Sequence, residues 1–244
     1  MEMDTLRDMI LEAASIVAFT GAGISAESGI PTYRGSDGIW NRYDPDKYAN
    51  INYFYRDPRY YWSFFQEVRY PVLSSAKPNP AHLLLARMES RGRLTAVVTQ
   101  NIDGLHQQAG SQKVLELHGS TRSFTCLGCG RRFDLDEVAA LLEAGLPPPC
   151  RTCSGLIRPD TVMFGEALPG DVLAESRDLA GSCDLFLSIG SSLLVQPAAS
   201  LPVLAKRAGA GLVIINRDPS RLDSLADLVI HDSASKVLAG ALGE

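Results

Sequence analysis

Apolar residues in this chain gather in short, nearly unbroken runs. The first is Ile16-Val-Ala-Phe-Thr20, and similar runs return at Thr95–Thr99, Leu185–Ile189, Leu212–Asn216 and Leu228–Ile230. Runs of this length without polar alternation predict strands buried on both faces, as in a parallel sheet. Helical spacing fills the intervals, with an amphipathic segment at Leu6–Ala14 and helices near Pro80–Arg91, Asp171–Ala180 and Pro197–Ala208. Parallel neighbours need helical crossovers, so the alternation predicts an α/β fold with a doubly wound, Rossmann-like sheet.

Each run breaks into small or polar residues: Gly21-Ala22-Gly23, Gln100-Asn101-Ile102-Asp103, Gly190-Ser191-Ser192, Asn216-Arg217-Asp218 and His231-Asp232-Ser233-Ala234. In a parallel sheet these breaks share the carboxyl edge, where open α/β folds bind ligands. Turn chemistry explains any one of them, but five together suit a nucleotide with phosphates and riboses. Gly21-Ala-Gly23-Ile-Ser25-Ala26 fits the Gly-x-Gly-x-x-Gly/Ala pattern. Its glycines let backbone approach a pyrophosphate, and the helix start that follows offers free N–H groups. The acidic ribose partner expected about twenty residues later at a strand end has no counterpart. Asn41 and Asp44 fall near that distance, in a loop. A nucleotide site off the ordinary dehydrogenase plan follows, and hydride transfer loses ground.

Two segments interrupt the sheet pattern. They divide the chain into a Rossmann-like part (residues 1–34, 79–120 and 159–244), an aromatic-rich insertion (35–78) and a cysteine module (121–158). The aromatic insertion is expected to form a flexible loop plus two or three helices over the cleft, with most of its rings in the core. The cysteine module reads Cys126-x-x-Cys129, twenty residues, then Cys150-x-x-Cys153. Four thiolates at this spacing can close a tetrahedral shell around one zinc ion, and small residues beside the second sulfur of each pair permit the tight turns. With every position taken by sulfur, no site remains for water or substrate, so the zinc is structural. Two disulfides are the alternative that spacing leaves open. Cys183 reads as a small buried hydrophobe.

Composition narrows the class. A chain of 244 residues, 45% hydrophobic and 21% charged, supports a sizeable core with a small appended module. Apolar runs stop short of the roughly 18 residues a membrane span needs, and the acidic start lacks a signal-peptide pattern. A cytoplasmic location without membrane association is expected, where cysteines stay reduced for metal. Net charge −5 and a pI near 5.4 argue against direct nucleic-acid binding, and so against a zinc-ribbon DNA-binding protein.

In their order along nearly the whole chain, Gly21-Ala-Gly-Ile-Ser25, Gly29-Ile-Pro-Thr-Tyr-Arg34, Thr99-Gln-Asn-Ile-Asp103, His118-Gly119, the four cysteines, Phe164-Gly-Glu166 and Gly190-Ser-Ser192 resemble the sirtuins. Sirtuins are NAD-dependent protein deacylases, and the likeness is to compact bacterial and archaeal members. The resemblance implies that the acyl group of a protein lysine is transferred to ADP-ribose with release of nicotinamide. It makes His118 the catalytic base, acting on a ribose hydroxyl, for which a neutral imidazole is suited. Asn101 and Asp103 join it at the nicotinamide and its ribose, with Gln100 and Ile102 beside them. Gly21, Ala22, Gly23, Ser25, Ile30, Tyr33 and Arg34 belong to the cofactor loop, where Arg34 suits the diphosphate and Tyr33 replaces the usual Phe. Gly190, Ser191, Ser192, Asn216, Asp218 and Ala234 hold the adenosine end. Val162, Phe164 and Gly165 on one side and Val195 on the other would take an acyl-lysine peptide as an added strand.

Family members that prefer succinyl- or malonyl-lysine carry a Tyr and an Arg three residues apart. Phe65 and Val68 stand at those places. Arg69, one residue on, would be rotated by about 100° around an α-helix. Acetyl or longer uncharged acyl groups are therefore expected. Mono-ADP-ribosyl transfer to protein is the alternative activity, and a catalytically weak NAD-sensing adaptor the alternative class. Retention of Asn101, Asp103 and His118 speaks against the adaptor.

Overall fold

A computed structural model describes residues 2–35 and 38–243. The described strands are β1 (Ile16–Thr20), β2 (Ala96–Thr99), β3 (Val114–Glu116), β4 (Gly119–Cys126), β5 (Arg132–Asp134), β6 (Ile157–Thr161), β7 (Leu185–Ile189), β8 (Gly211–Ile215) and β9 (Leu228–Ile230). Six of them form one parallel sheet in the order β3-β2-β1-β7-β8-β9. Counting only these six, the chain starts in the middle, builds outward to one edge, then crosses back beside β1. This is the Rossmann order, with its switch point between β1 and β7.

Both central strands are buried at every position, as their unbroken apolar runs require. Successive side chains still alternate between faces. Ile16, Ala18, Leu187 and Ile189 share a core with residues of the helices Glu2–Glu12, Pro80–Ser90 and Ala234–Leu242. Val17, Phe19, Phe186, Leu212 and Ile214 pack toward Gly170–Ser182 and Leu201–Ala208. The helix expected from Pro197 begins at Leu201, after a 3₁₀ turn at Ala198–Ser200. Strand β3 has no sequence signal, because it is a short edge strand with each residue only partly buried.

The second sheet is antiparallel, in the order β5-β4-β6. Gly119 pairs with Thr161 and Cys126 with Ile157, so its strands run slightly past the 121–158 span. The aromatic insertion forms the helices Pro45–Tyr48, Ile51–Arg56, Pro58–Phe64 and Tyr70–Ser75, with a π-helical turn at Phe65–Arg69. This is more helix than the sequence suggests. Ile51, Phe54, Tyr61, Trp62 and Phe65 share one core with Phe124, Phe133, Val138, Leu141 and Ile157 of the cysteine module. The two insertions therefore build one small lobe around common aromatic packing. Full burial of each such ring contributes about 1.5–3 kcal/mol. Among the described residues no helix is long and apolar enough to cross a membrane.

Candidate active site

Between the lobe and the carboxyl edge of the large sheet lies a cleft of 480 Å³. All five strand-end loops contribute to it: Gly21, Ala22 and Gly23 after β1; Gln100, Asn101 and Ile102 after β2; Gly190, Ser191 and Ser192 after β7; Asn216 and Asp218 after β8; Ala234 after β9. Tyr33, Arg34, His118, Val162, Phe164, Gly165 and Val195 line it as well. Ser25, Ile30 and Asp103 are not part of the wall. Nor are Asn41 and Asp44, which are spent locally: Asn41 donates to the Gly35 carbonyl and Asp44 caps the Pro45 helix.

The glycines of the first loop serve packing as much as ligand approach. A Cβ on Gly21 would lie 2.8 Å from the Gly190 carbonyl oxygen, and one on Gly23 would lie 2.7 Å from the Gly190 Cα. The Gly23 N–H donates to that same carbonyl at 2.8 Å. It is therefore not free for a phosphate as the motif alone suggests. The following helix is a 3₁₀ turn over Ala22–Ser28, not a long α-helix.

His118 sits where the chain leaves the large sheet for the small one. Gly119 makes that passage possible, with φ +67 and no room for a Cβ, which would stand 2.0 Å from the Asp160 carbonyl oxygen. The His118 Nδ1–H donates to the Gln100 carbonyl at 2.8 Å. That bond assigns the proton to Nδ1 and leaves the Nε2 lone pair for a substrate proton. Burial holds the imidazole pKa below its usual value, with the Arg34 charge adding to the effect and the Gln100 bond opposing it. The ring is a neutral base at pH 7.

Behind the wall runs a buried polar network. Asn101 Nδ2 donates to the Gly21 carbonyl and to Ser25 Oγ, and Ser25 Oγ donates to Asp103 Oδ2 at 2.8 Å. Asp103 Oδ1 accepts from the Leu105 N–H, and burial raises this carboxyl's pKa. Asp103 thus reaches the cleft through Ser25 and Asn101. His82 and His106 lie next to this network. His82 Nδ1 accepts from the Asn79 N–H, which directs Nε2–H toward Ser25 Oγ. His106 Nε2 meets Thr20 Oγ1 at 2.9 Å. Both serve as local hydrogen-bonding residues.

The segment expected to offer a free extended edge is mostly occupied. Val162 N–H donates to the His118 carbonyl, Phe164 N–H to Ala49 and Glu166 N–H to Met163, while Met163 N–H meets Glu166 Oε2. Only Phe164 forms a bridge, parallel to Asn50. The Gly165 N–H, with φ +91, has no partner among the described residues. Backbone recognition here must rely on that group and on carbonyls.

The insertion adds cleft residues that the sequence did not assign to it: Trp40, Tyr61 and Arg69. Tyr33 stacks on Trp40 at 5.3 Å, and Trp40 meets Phe164 at 6.4 Å. The expectation that Arg69 is rotated away needs correction. The Tyr70 N–H donates to the Phe65 carbonyl, a five-residue step, so α-helical counting fails across this turn. Arg69 lines the cleft, whereas Phe65 is core and neither it nor Val68 is in the wall.

In the lobe, the four cysteine sulfurs lie within 4.8 Å of one another. Cys126 and Cys153 are separated by 3.5 Å and Cys129 and Cys150 by 3.8 Å, far beyond a disulfide bond of about 2.05 Å. A tetrahedral zinc with bonds of about 2.3 Å puts its sulfurs about 3.8 Å apart. The cradle therefore fits one zinc. Gly155 closes it, since a Cβ there would come 3.0 Å from Cys126 Sγ and 3.1 Å from Cys153 Sγ.

Fold and cleft together define a Rossmann-type nucleotide-binding protein with a thiol-clamped lobe. A family model described as Sir2 family matches residues 21–197. The NAD-dependent protein deacylase 2 of Archaeoglobus fulgidus is 47% identical, over 96% of this chain and 94% of its own length. The NAD-dependent protein deacetylase of Thermotoga maritima is 44% identical, over 93% and 92%. A solved structure of a Sir2 protein with a p53 peptide and NAD+ matches with a TM-score of 0.91 at 40% identity, over 100% of this chain and 98% of the other. The chain belongs to the Sir2 family.

Proposed function

We propose that this protein is an NAD-dependent protein-lysine deacylase that transfers the acyl group to ADP-ribose, releases nicotinamide and frees the lysine. Among its relatives are proteins named NAD-dependent protein deacetylase and deacylase, and solved Sir2 structures carry NAD+ or an acylated peptide. The observation that carries the reading is His118, a neutral imidazole with its Nε2 lone pair open in a cleft bordered by all five strand-end loops.

In this reading NAD is the co-substrate, and its glycosidic bond to nicotinamide supplies the electrophilic carbon. Gly190, Ser191, Ser192, Asn216, Asp218 and Ala234 receive the adenosine end, and Gly21–Gly23 with Arg34 the diphosphate. Gln100, Asn101 and Ile102 border the nicotinamide ribose, and Asp103 holds Asn101 in place through Ser25. Val162, Phe164, Gly165 and Val195 position the acyl-lysine, whose amide oxygen is a weak nucleophile. Alignment and water exclusion by Tyr33, Trp40 and Phe164 are therefore a large part of catalysis. His118 Nε2 then accepts the proton of a ribose hydroxyl, allowing that oxygen to attack the attached imidate carbon. Cys126, Cys129, Cys150 and Cys153 would hold one zinc, whose full sulfur shell supplies cross-linking alone. Five free thiols suit the reducing cytoplasm, and the acidic balance gives no reason to add nucleic acid or membrane to the protein substrates.

Incubation with NAD and an acetyl-lysine peptide, with products identified by mass, tests the reading. Deacetylated peptide, nicotinamide and acetyl-ADP-ribose are expected in equal amounts, all lost in His118→Ala. ADP-ribose attached to protein without acetyl-ADP-ribose would establish the transferase instead. Binding of NAD without turnover would establish the adaptor.

A further inference from the structure

A second groove adjoins the cleft along the loop after β7. Gln196 lines both, while Val195 belongs to the cleft and Leu193 and Leu194 to the groove. The helix Leu201–Ala208 supplies the rest of its apolar wall. Its N-cap Ser200 and then Val203, Leu204 and Arg207 all line the groove, at the spacing of one helix face. A different face, with Leu201 and Ala205, takes the core. The groove stripe is therefore not covered by this chain, and Leu194 and Leu204 stay 43% and 36% exposed. Around it stand three cations: Arg177 of the helix Gly170–Ser182, Arg207, and Arg221 after β8. No carboxylate lines the groove, and Asp178, next to Arg177, is outside it. Nearby, Glu175 is engaged by Lys113, Asp223 by Ser220, and Asp227 by Lys206 and the Leu212 N–H. Among the described residues none of the three guanidiniums has a hydrogen bond or ion pair. Arg131, Arg132 and Arg217, elsewhere on the surface, each pair with a carboxylate. In a chain of net charge −5, an uncovered apolar stripe ringed by unpaired arginines is a binding surface for an acidic, partly apolar partner.

We propose that this groove docks a segment of the protein substrate that flanks the acyl-lysine, and that it selects acidic residues interleaved with apolar ones. The inference rests on the deacylase reading and adds a preference in the sequence around the modified residue. Continuity decides the occupant. A chain whose lysine passes Val195 has the groove beside it, across Leu194 and Gln196. Charge decides the composition, because a planar guanidinium matches a carboxylate in two parallel bonds. The leucines decide the rest, since they gain only from covering by apolar side chains. Each exposed ion pair is worth a factor of about 1.4–5 in affinity, so three together give about tenfold. Affinity of that size sorts substrates without slowing their release.

The test uses the intact zinc-loaded protein, NAD and one acetyl-lysine peptide with long flanks in three versions, Asp/Leu, Asn/Leu and Lys/Leu, beside a short peptide without flanks. The wild type is expected to show kcat/KM for Asp/Leu about tenfold above Asn/Leu, through KM and less so in high salt. Replacing all three cations (Arg177→Gln, Arg207→Gln and Arg221→Gln) should bring that ratio close to one and leave the short peptide unchanged. Leu204→Ser should weaken both the Asp/Leu and Asn/Leu peptides, again sparing the short one. Equal turnover of Asp/Leu and Asn/Leu by the wild type overturns the groove even while deacylation stands. So does a preference for Lys/Leu, or a triple variant that loses the short peptide as severely as the long ones. Self-association in sedimentation that the triple variant abolishes, with flanks making no difference, would overturn it in favour of a second copy as occupant. If no peptide turns over, the deacylase reading fails by itself. Calorimetric binding of Asp/Leu against Asn/Leu to wild type and triple variant then still decides the groove.

Discussion

His82 and His106 make the stability of this protein steeply sensitive to mild acid. Their rings lie 4.8 Å apart with 0% and 1% of their surface exposed. Burial pushes the His82 pKa down to about 4. Burial together with repulsion from His82 pushes that of His106 down to about 3. In the unfolded chain both titrate near 6.5. As pH falls through 6.5 the unfolded state takes up two protons that the folded state refuses, so folding weakens with acidification. At pH 5 the unfolded imidazoles are almost fully protonated and the folded ones almost fully neutral. The loss relative to pH 8 is then about 2 kcal/mol for each ring, or about 4 kcal/mol for the pair. That is a large share of the 5–15 kcal/mol typical of a domain.

The groups facing the pair are the hydroxyls of Ser25 and Thr20 and, through Ser25, Asp103. The raised Asp103 pKa works in the opposite sense, because the folded carboxyl takes up its proton first. Thiolate protonation in the lobe adds an acid loss of its own. Comparing variants removes both contributions. Urea denaturation followed by tryptophan fluorescence at pH 8 and pH 5 should show a wild-type loss of several kcal/mol. His82→Gln and His106→Gln should each reduce that loss by about 2 kcal/mol, whatever they cost at pH 8. A wild type losing less than about 1 kcal/mol, or variants with an unchanged pH dependence, would refute the argument.

The remaining predictions concern His118, its neighbouring glycine and the metal. The acid limb of kcat/KM should have its midpoint below 6.5, with activity falling as His118 is protonated; Arg34→Met should move that midpoint upward, because a neighbouring cation is removed. Gly119→Ala combines a left-handed backbone with a Cβ 2.0 Å from the Asp160 carbonyl oxygen; urea denaturation should show at least about 2–3 kcal/mol lost, and turnover should fall with it as His118 shifts. Stripping zinc with a chelator should melt the lobe and change the fluorescence of Trp62, which is fully buried in the core shared with Cys126 and Cys150; full turnover in metal-free protein would contradict a structural metal.

The large sheet was legible because its strands are buried on both faces, which leaves a mark of continuous apolar residues. Its loops were legible because a parallel sheet gathers the residues after each strand at one edge. Hence Gly21, Gln100, Gly190, Asn216 and Ala234 meet in one cleft although nearly the whole chain separates them. Strand β3 left no such mark, and the shared core of the small lobe was hidden for another reason. Trp62 and Phe124 are in ring contact at 5.9 Å, but their spacing along the chain carries no period that could announce it.

Arg69 shows where reasoning by position reaches its limit. Counting at 3.6 residues per turn assumes an unbroken α-helix, and that assumption turned Arg69 away from the cleft that it lines. Between Phe65 and Tyr70 the backbone takes one wider turn. The rotation applied to every later side chain is then wrong, although each residue was identified correctly. The aromatic packing offers a physical reason for that turn. Tyr61, Trp62 and Phe65 all face the core, and Phe65 contacts Tyr61, Trp62, Tyr70 and Phe124, so it is anchored on several sides. With Phe65 fixed inward, an extra residue in the turn lets Arg69 point to the cleft, where its charge lies among rings and beside the Tyr61 hydroxyl. Helix geometry, not residue identity, decides which of these side chains line the cleft.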